Sequence, residues 1–566
     1  MTTSSSASPV PHSASGRVPQ GASDSAADSA PHGSLPTLDP ERIARLREAF
    51  LAADYTADGC LELLGAAAYA ALARSESVPA LRATVGQGSL QTLVRLFLLQ
   101  RSVPYPAAAA ALPVDEALAD GWLVRTPSSE VRATVDVRPY ANDIAGAVDE
   151  PSDASGSASG GGASAASAPA ADAWIVSDLG CAVGGAGGIG SGAATDQGVP
   201  RSELVLGVGG ASTTLGNITV RRPARRALDL GTGSGVQALH AARHAGHVVA
   251  TDVNPRALHF TRLTAELSGF GDRVEVREGS LFAPLGEDER FDLIVSNPPF
   301  VISPGGRFTY RDGGMAGDDL CRSLVARAGE YLEPGGYCQL LANWQHVRGE
   351  DWRDRVAGWL AGTGCDAWIV QRDVQDATTY AELWLRDGGD HRGPREEYER
   401  RYADWLDAFE AAKVEGVGFG WITLRRAPGG ATPVVVAEEW PHAVEQPLGP
   451  AIDAWFARQD FLRAHDDAGL LAARFRLADE VVQEQVGAPG AEDPEHVILR
   501  QNRGMRRATK VDTIGAGFAG VCDGTLTAGE ILDAIARLIE EDPVVLRDRV
   551  PGQIRVLVEQ GFLILT

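Results

Sequence analysis

Long hydrophobic runs are scarce in this chain of 566 residues. The longest apolar run starts at Leu61, is rich in alanine and is shorter than the roughly 20 residues that a membrane-spanning helix needs. Residues 1–35 have no apolar core of the kind found in secretory signals. We therefore expect no membrane partner and no secretory signal.

Paired cysteines are also missing. The six cysteines are scattered, and no two of them form a C-x-x-C pair. This spacing argues against a disulfide framework and favours reduced thiols in a cytoplasmic protein. His240, His244 and His247 lie close together, but they have no cysteine or acidic residue at ligand spacing. No metal site is expected.

Lysine is rare, because it occurs only at Lys413 and Lys510, and the formal net charge is −24. A chain this acidic repels a phosphate backbone over most of its surface. The composition therefore favours a protein partner over a nucleic acid. The basic stretch 502–510 has two interpretations: an ion-paired or solvated face, which we favour, or a local nucleic-acid contact.

Changes in composition divide the chain into five regions. Residues 1–38 predict a disordered tail, and the Ser/Gly/Ala-rich residues 148–172 predict a flexible linker. Residues 39–147 and 441–566 each combine helical apolar spacing with a short strand, which predicts helical, winged-helix-like domains. Such modules bind nucleic acid or pack against a neighbour, and the acidic composition favours packing. Residues 173–440 form the remaining region.

Strands and helices alternate in residues 173–440. Seven strand candidates run from RALDL (226–230) to GFGWITLRR (418–426), and helical segments fit between most of them. This alternation predicts a mostly parallel sheet with helices on both faces. The fold class is therefore α/β, with a Rossmann-like core of seven strands.

A glycine loop follows the first of these strands, in LDLGTGSG (228–235). Its three glycines let the backbone turn sharply and approach a ligand. The next strand ends at Asp252, where a carboxylate can accept hydrogen bonds from ribose hydroxyls. The spacing is G-x-G-x-G and not the G-x-G-x-x-G of nicotinamide dehydrogenases. Loop and carboxylate together favour a ligand that contains adenosine.

The turn after the third strand has the sequence GSLF (279–282). At this place a nucleoside-binding sheet meets the adenine ring, so Leu281 could cover the ring and Ser280 could bond to an edge nitrogen. A simple turn at a strand end is the alternative for either residue.

The fourth strand ends in Asn297, Pro298, Pro299 and Phe300. Asn297 offers one acceptor oxygen and two donors, and the prolines make a rigid turn whose carbonyls can face outward. Such a socket suits an –NH2 group, held between the Asn297 oxygen and the Pro298 carbonyl, with Phe300 as a stacking face. Positioning of this kind would serve transfer of a methyl group to a planar nitrogen.

In order and spacing, LDLGTGSG, ATD, GSLF and SNPPF resemble the class I N-methyltransferases that use S-adenosylmethionine. The sequence looks most like the release-factor glutamine methyltransferases and the small-domain RNA guanine methyltransferases. YRDGGMAGDDL (310–320) is similar to the G-G-x-x-G-x-x-L segment of the glutamine enzymes. The resemblance covers roughly residues 200–345.

The resemblance implies S-adenosyl-L-methionine as the cofactor and assigns residues to it. Those expected at the cofactor are Asp229, Gly231, Gly233, Gly235, Asp252, Ser280, Leu281 and Asn297. Those expected at the acceptor nitrogen are Asn297, Pro298, Pro299 and Phe300. Two positions depart from the family pattern: many relatives have Asp in place of Ser280, and the glutamine enzymes usually have Tyr in place of Phe300.

The expected function is methyl transfer to a planar –NH2 nitrogen of a macromolecule. A protein glutamine amide comes first, because the GGMAGDDL segment and the net charge favour it. An exocyclic amine of RNA or DNA is the alternative, which Phe300 and the winged-helix-like modules favour. A non-catalytic scaffold that binds the cofactor is a more distant alternative, and the intact N-P-P motif argues against it.

Overall fold

The fold is that of a computed structural model, which describes residues 35–141, 172–180, 200, 203–305, 314–489 and 494–566, except Ala73, Ser75 and Gln87. The disordered tail predicted for 1–38 and the linker predicted for 148–172 lie outside the described residues, apart from 35–38 and 172. Within the described ranges, no helix is both long enough and apolar enough to span a membrane.

The N-terminal unit is helical and carries a small antiparallel sheet. Its helices are α1 (Pro40–Ala52), α2 (Ala57–Leu72), α3 (Val78–Ala83), α4 (Ser89–Leu93), α5 (Tyr105–Ala111) and α6 (Val114–Ala119). Its strands are β1 (Val103–Pro104), β2 (Leu123–Arg125), β3 (Glu130–Ala133) and β4 (Asp136–Tyr140). The sheet has the order β1-β3-β2, whereas β4 pairs antiparallel with β5 (Ala173–Ser177).

A sheet of eight strands forms the centre of the molecule. The remaining strands of this region are β6 (Ala224–Leu230), β7 (Ala245–Asp252), β8 (Val274–Glu278), β9 (Phe291–Ser296), β10 (Leu332–Val347), β11 (Cys365–Asp376), β12 (Val414–Arg426) and β13 (Val435–Glu439). Its helices are α7 (Gly210–Ile218), α8 (Val236–Ala242), α9 (Pro255–Leu267), α10 (Asp319–Tyr331), α11 (Trp352–Ala357), α12 (Ala377–Asp387) and α13 (Arg395–Ala411).

The strand order is β13-β11-β12-β10-β9-β6-β7-β8. All neighbours are parallel except the two pairs that include β12. The predicted α/β class with a Rossmann-like, mostly parallel sheet is therefore confirmed. Strand β13 is an addition to the seven strands expected from the sequence.

Both faces of the sheet are covered, which explains why its central strands are apolar almost throughout. Neighbouring residues of a strand belong to opposite faces. Thus Ala227 packs in the cluster with α7 and α8, whereas Leu228 packs in the cluster with α10. The carboxyl ends of the parallel strands therefore meet at one edge, between two helical layers.

The C-terminal unit begins with α14 (Gly449–Ala464). Its other helices are α15 (Asp467–Ala472), α16 (Thr513–Val521), α17 (Ala528–Leu538), α18 (Pro543–Arg549) and α19 (Pro551–Glu559). Its strands are β14 (Arg474–Leu477), β15 (Val481–Val486), β16 (His496–Gln501), β17 (Ala508–Val511), β18 (Asp523–Thr527) and β19 (Leu563–Leu565). They form two three-stranded sheets, ordered β18-β14-β19 and β15-β16-β17.

Both terminal units pack on the central region. Phe260 and Leu263 of α9 share a core with the N-terminal helices. Trp455 of α14 stacks on Trp368 of β11, with 4.7 Å between the ring centroids. Helices α12 and α13 lie between β11 and β12 in the chain and form an aromatic cluster of their own.

Candidate active site

The glycine loop leaves β6 in a conformation that requires glycine. Gly231 and Gly233 have φ angles of +73° and +58°, in the left-handed region that side chains disfavour. The N–H groups of Gly231 and Thr232 both donate to the Thr251 carbonyl of β7, each at 2.9 Å. A Cβ atom added to Gly231 or Gly233 would meet no atom within 4 Å. The loop therefore faces open space that a ligand can fill.

The carboxyl group of Asp229 forms hydrogen bonds with the glycine loop and with α8. Its side chain is 1% exposed, and its Oδ2 accepts hydrogen bonds from the Thr232 hydroxyl (2.7 Å) and from the Ala238 N–H (2.9 Å). Burial raises the pKa of Asp229 to about 7. The carboxyl group thus ties the loop to the first turn of α8, a contact that the sequence did not indicate. Its predicted contact with the methionine part of a cofactor stays a prediction.

Asp252 lies at the end of β7, beside the loop. Its Oδ2 accepts the Gly233 N–H at 3.0 Å, and its Oδ1 accepts the Asn254 N–H at 2.9 Å. Burial raises the pKa of this carboxyl group. Each carboxylate oxygen can accept more than one hydrogen bond, so both keep capacity for ribose hydroxyls.

The turn after β8 lies next to Asp252, because the Gly279 N–H donates to the Asp252 carbonyl at 3.0 Å. Ser280 is exposed, and Leu281 is half-buried against Phe282 and its neighbours. Leu281 has a φ angle of +48°, which is uncommon for a residue with a side chain and occurs more often at binding sites. Their roles at an adenine ring stay predictions.

The N-P-P-F turn lies on the other side of the glycine loop. Ser296 is paired with Leu230, and its hydroxyl donates to the Leu230 carbonyl at 2.8 Å. Asn297 and Gly231, which follow these two residues, therefore leave the sheet side by side. Pro298 is buried and Pro299 half-buried, while Phe300 packs against the clusters on both faces.

The side chain of Asn297 has an unused hydrogen-bond acceptor. Its Oδ1 atom is buried and has no hydrogen-bond partner among the residues described. Leaving such an acceptor unpaired costs about 1–3 kcal/mol, so a water molecule or a ligand is expected to bond to it. The atom is the acceptor that the sequence predicts for an –NH2 group.

Two residues near this turn, Tyr380 and Asn343, were not predicted from the sequence. The hydroxyl oxygen of Tyr380 on α12 accepts the Ile302 N–H at 2.9 Å and the Asn343 Nδ2–H at 3.0 Å. Asn343 lies near the carboxyl end of β10, the strand next to β9. No local pattern indicated these contacts, because they join parts of the chain that are far apart in sequence.

The segment GGMAGDDL is described from Gly314 onward. Asp318 is 3% exposed and accepts hydrogen bonds from Arg355 (Nη2 to Oδ1, 2.8 Å) and from the Gln345 N–H (2.9 Å). The segment is thereby fixed to the end of β10 and to α11. Arg355 also escaped sequence reasoning, since an arginine on an amphipathic helix has no distinguishing pattern.

Two of the four basic residues in the stretch 502–510 are ion-paired, in line with the interpretation favoured from the sequence. Arg503 pairs with Glu480 at 2.7 Å, and Arg507 donates through Nη1 to Glu438 at 2.9 Å. Arg503 also lies 3.4 Å from Glu445. These carboxylates compete with any phosphate group for the two guanidinium groups.

The residues at this edge fit S-adenosylmethionine. The open space above Gly231 and Gly233 would receive its methionine part, and the carboxylate of Asp252 would accept its ribose hydroxyls. Among the described residues, no group of three or more His, Cys, Asp or Glu side chains could hold a metal ion.

Comparison with known proteins finds three matching regions. Residues 209–351 match the family model of the methyltransferase small domain. Residues 52–134 and 453–565 match two models described as domains of unknown function, DUF7059 and DUF7782. The central match includes the glycine loop, Asp252 and the N-P-P-F turn.

Three curated relatives illustrate the similarity. The release factor glutamine methyltransferase of Geobacter sulfurreducens is 39% identical in an alignment of 158 residues that covers 25% of this chain and 52% of that protein. The ribosomal protein uL3 glutamine methyltransferase of Bradyrhizobium diazoefficiens is 39% identical over 20% of this chain and 38% of that protein. The ribosomal RNA small subunit methyltransferase C of Alcanivorax borkumensis is 35% identical over 21% of this chain and 32% of that protein. The chain thus spans about half the length, or less, of these relatives.

The fold and these matches give the central region the architecture and sequence pattern of class I S-adenosylmethionine-dependent methyltransferases. Within that class, the central region is similar to the methyltransferase small domain and to the glutamine and ribosomal RNA methyltransferases described above.

Proposed function

We propose that this protein transfers a methyl group from S-adenosylmethionine to the side-chain amide nitrogen of a glutamine in another protein. The observation that carries the proposal is the buried, unpartnered Oδ1 atom of Asn297. It lies at the carboxyl edge of the sheet, where the chain leaves β9 beside the glycine loop. The cytoplasmic location expected from the scattered cysteines is part of this proposal.

The chemistry of an amide acceptor fits this turn. An amide –NH2 offers two donors, and its nitrogen is a poor nucleophile because the lone pair is delocalised. The Asn297 oxygen and the Pro298 carbonyl would each accept one N–H, which fixes the nitrogen and increases its electron density. The cofactor supplies an electrophilic methyl group when it is bound. The turn holds the nitrogen in place, and the proton can leave to solvent without a strong base.

A protein acceptor is favoured over a nucleic acid by the charges on the terminal units. Arg503 and Arg507 are engaged by carboxylates. In the N-terminal unit, α6 precedes the β2–β3 hairpin and carries Asp115, which would repel phosphate, whereas Glu116 is paired with Arg45 at 2.9 Å. Two of the three relatives described above are named as glutamine methyltransferases.

An exocyclic amine of RNA is the second candidate. Phe300 supports it, since the glutamine enzymes usually have Tyr at this position. The similarity to a ribosomal RNA methyltransferase also supports it. A nucleobase amine is planar and offers two donors, so it would fit the same socket.

The test uses cofactor with a labelled methyl group and the full chain. Purified protein is incubated with lysate from cells that lack it, and samples are digested separately with protease and nuclease. Asn297→Ala is compared with Asn502→Ala, which removes an exposed asparagine from the β16–β17 turn. We expect Asn297→Ala to lower transfer about 100-fold, the usual loss for one preorganised polar contact, and to leave cofactor affinity within threefold.

Each outcome identifies one candidate. Label released by protease and dependent on Asn297 supports the glutamine proposal, and mass spectrometry then locates the modified residue. Label released only by nuclease refutes it in favour of a nucleobase amine. If neither fraction carries label that depends on Asn297, a non-catalytic scaffold becomes the better explanation.

A further inference from the structure

The connection between β11 and β12 contains two helices, α12 and α13, that pack against the active-site turn. Val301 and Ile302, which directly follow Phe300, belong to the same buried cluster as the aromatic residues of these helices. We propose that Tyr380 of α12 is a positioning residue, which holds the N-P-P-F turn so that the Asn297 oxygen is in place for the acceptor nitrogen. This inference rests on the methyl-transfer function proposed above.

The hydrogen bonds of Tyr380 link three elements at one atom. Its oxygen accepts the Ile302 N–H at 2.9 Å and the Asn343 Nδ2–H at 3.0 Å. The active-site turn, the end of β10 and α12 therefore meet at this oxygen. Pro298 and Pro299 have no N–H groups, so the backbone donors that can fix the turn begin only at Phe300.

Aromatic packing determines where the Tyr380 oxygen lies. The side chain is fully buried, and its ring is 5.5 Å from Phe419, 6.0 Å from Phe409 and 6.1 Å from Trp405, measured between centroids. A fourth ring, that of Trp384, lies at 6.1 Å. A ring packed on several sides has little freedom to move, so its hydroxyl group is a fixed point for the turn.

A shift of Ile302 would also move Asn297, because the prolines between them restrict the backbone. Each proline fixes its own φ angle and restricts the residue before it. Phe300 is held by contacts with the clusters on both faces of the sheet. A misplacement of about 1 Å can slow a positioned reaction roughly 100-fold. Tyr380 thus acts on the rate through Asn297 and does not itself touch the acceptor.

The experiment compares Tyr380→Phe with Tyr402→Phe. Both changes keep an aromatic ring in the cluster and remove one hydroxyl group. Tyr402 of α13 contacts the same cluster, but its hydroxyl donates to the Thr378 carbonyl at 3.2 Å and forms no hydrogen bond with the described residues 297–302. The full-length protein is used, with hydrogen exchange of the peptide 297–305 as the first readout.

For Tyr380→Phe we expect exchange in 297–305 to become at least tenfold faster. We also expect kcat for methyl transfer to fall at least tenfold, with the KM for cofactor unchanged. One cofactor should still bind per molecule with unchanged affinity, whereas a merely structural defect would reduce the number of binding sites. Tyr402→Phe should change none of these quantities.

Unchanged exchange in 297–305, or an unchanged kcat in Tyr380→Phe, would overturn the positioning role and leave the methyl-transfer proposal intact. Equal effects of the two variants would likewise overturn it, because they would indicate general loosening of the cluster. If the acceptor is a nucleobase and not a glutamine, the proposed substrate fails, and the same comparison of kcat is made with that acceptor.

Discussion

Replacing Gly233 by Ala separates the cost of a strained backbone from the cost of an obstructed cofactor site. Gly233 has a φ angle of +58°, and an added Cβ atom would meet no protein atom within 4 Å. The left-handed conformation costs an L-residue about 1–2 kcal/mol, which lowers Tm by a few degrees in a domain of this size. The Cβ would also project into the space that the cofactor is expected to fill.

The cofactor affinity of Gly233→Ala should therefore fall at least about tenfold, which corresponds to roughly 1.4 kcal/mol. Titration calorimetry with S-adenosylhomocysteine measures it. Gly364→Ala is the matched control, because Gly364 has a φ angle of +68° and open space around its Cβ position. It directly precedes β11 and so lies at the amino ends of the parallel strands, away from the glycine loop. We expect both variants to lose similar stability. Equal affinity in the two variants would refute the placement of the cofactor above the glycine loop.

Two further predictions concern the carboxyl groups beside the loop. Asp229→Asn should raise the free energy of unfolding more at pH 8 than at pH 5, because the unfolded carboxyl ionises near 3.8 whereas the folded one keeps its proton until about 7. The free energy of unfolding of the wild-type protein therefore falls by about 2–3 kcal/mol between pH 5 and 8. The Asp229→Asn variant lacks this loss, because its amide does not ionise. Thermal unfolding of both proteins at the two pH values measures the difference, and an equal gain would show that the pKa of Asp229 is not raised. Asp252→Asn should weaken cofactor binding about tenfold to 100-fold in calorimetry, since a hydrogen bond to a charged group contributes about 1.5–3 kcal/mol. Unchanged affinity would exclude Asp252 from ribose binding.

The parts of the site that sequence reasoning located are those formed at strand ends. An apolar run that stops at Gly231 or Asp252 marks the carboxyl edge of a parallel sheet, and this edge is shared by all parallel neighbours. The pairing of Leu230 with Ser296 then places Asn297 beside the glycine loop without any further information. Local sequence was sufficient because each of these residues is positioned by its own strand.

Tyr380 could not be located in this way. It is 78 residues from Ile302 in the chain and 37 from Asn343, and only the packing of α12 and α13 brings them together. A tyrosine on an amphipathic helix is most simply a core residue. The bonds of Asp229 to Thr232 and Ala238 were not predicted for a related reason, since they depend on how the loop folds back over the strand.

Strand β13 was also unexpected. VVVAEEW (434–440) is a short apolar run after a region of seven strand candidates, which already account for a complete core of this class. In the structure it pairs parallel with β11 and extends the sheet. The ion pair between Glu438 of β13 and Arg507 then joins this edge of the sheet to the C-terminal unit.

The ribbon of β4 and β5 holds together the two ends of the Ser/Gly/Ala-rich stretch that connects these strands. The chain leaves the N-terminal unit at Tyr140 and returns at Ala173, and these two residues are directly opposite each other. The Trp174 and Val176 N–H groups donate to Ser268 and Thr264 of the α9 segment, each at 3.0 Å, so the ribbon is itself anchored. The position of the N-terminal unit on the central region is therefore set by the ribbon and its contacts with the α9 segment.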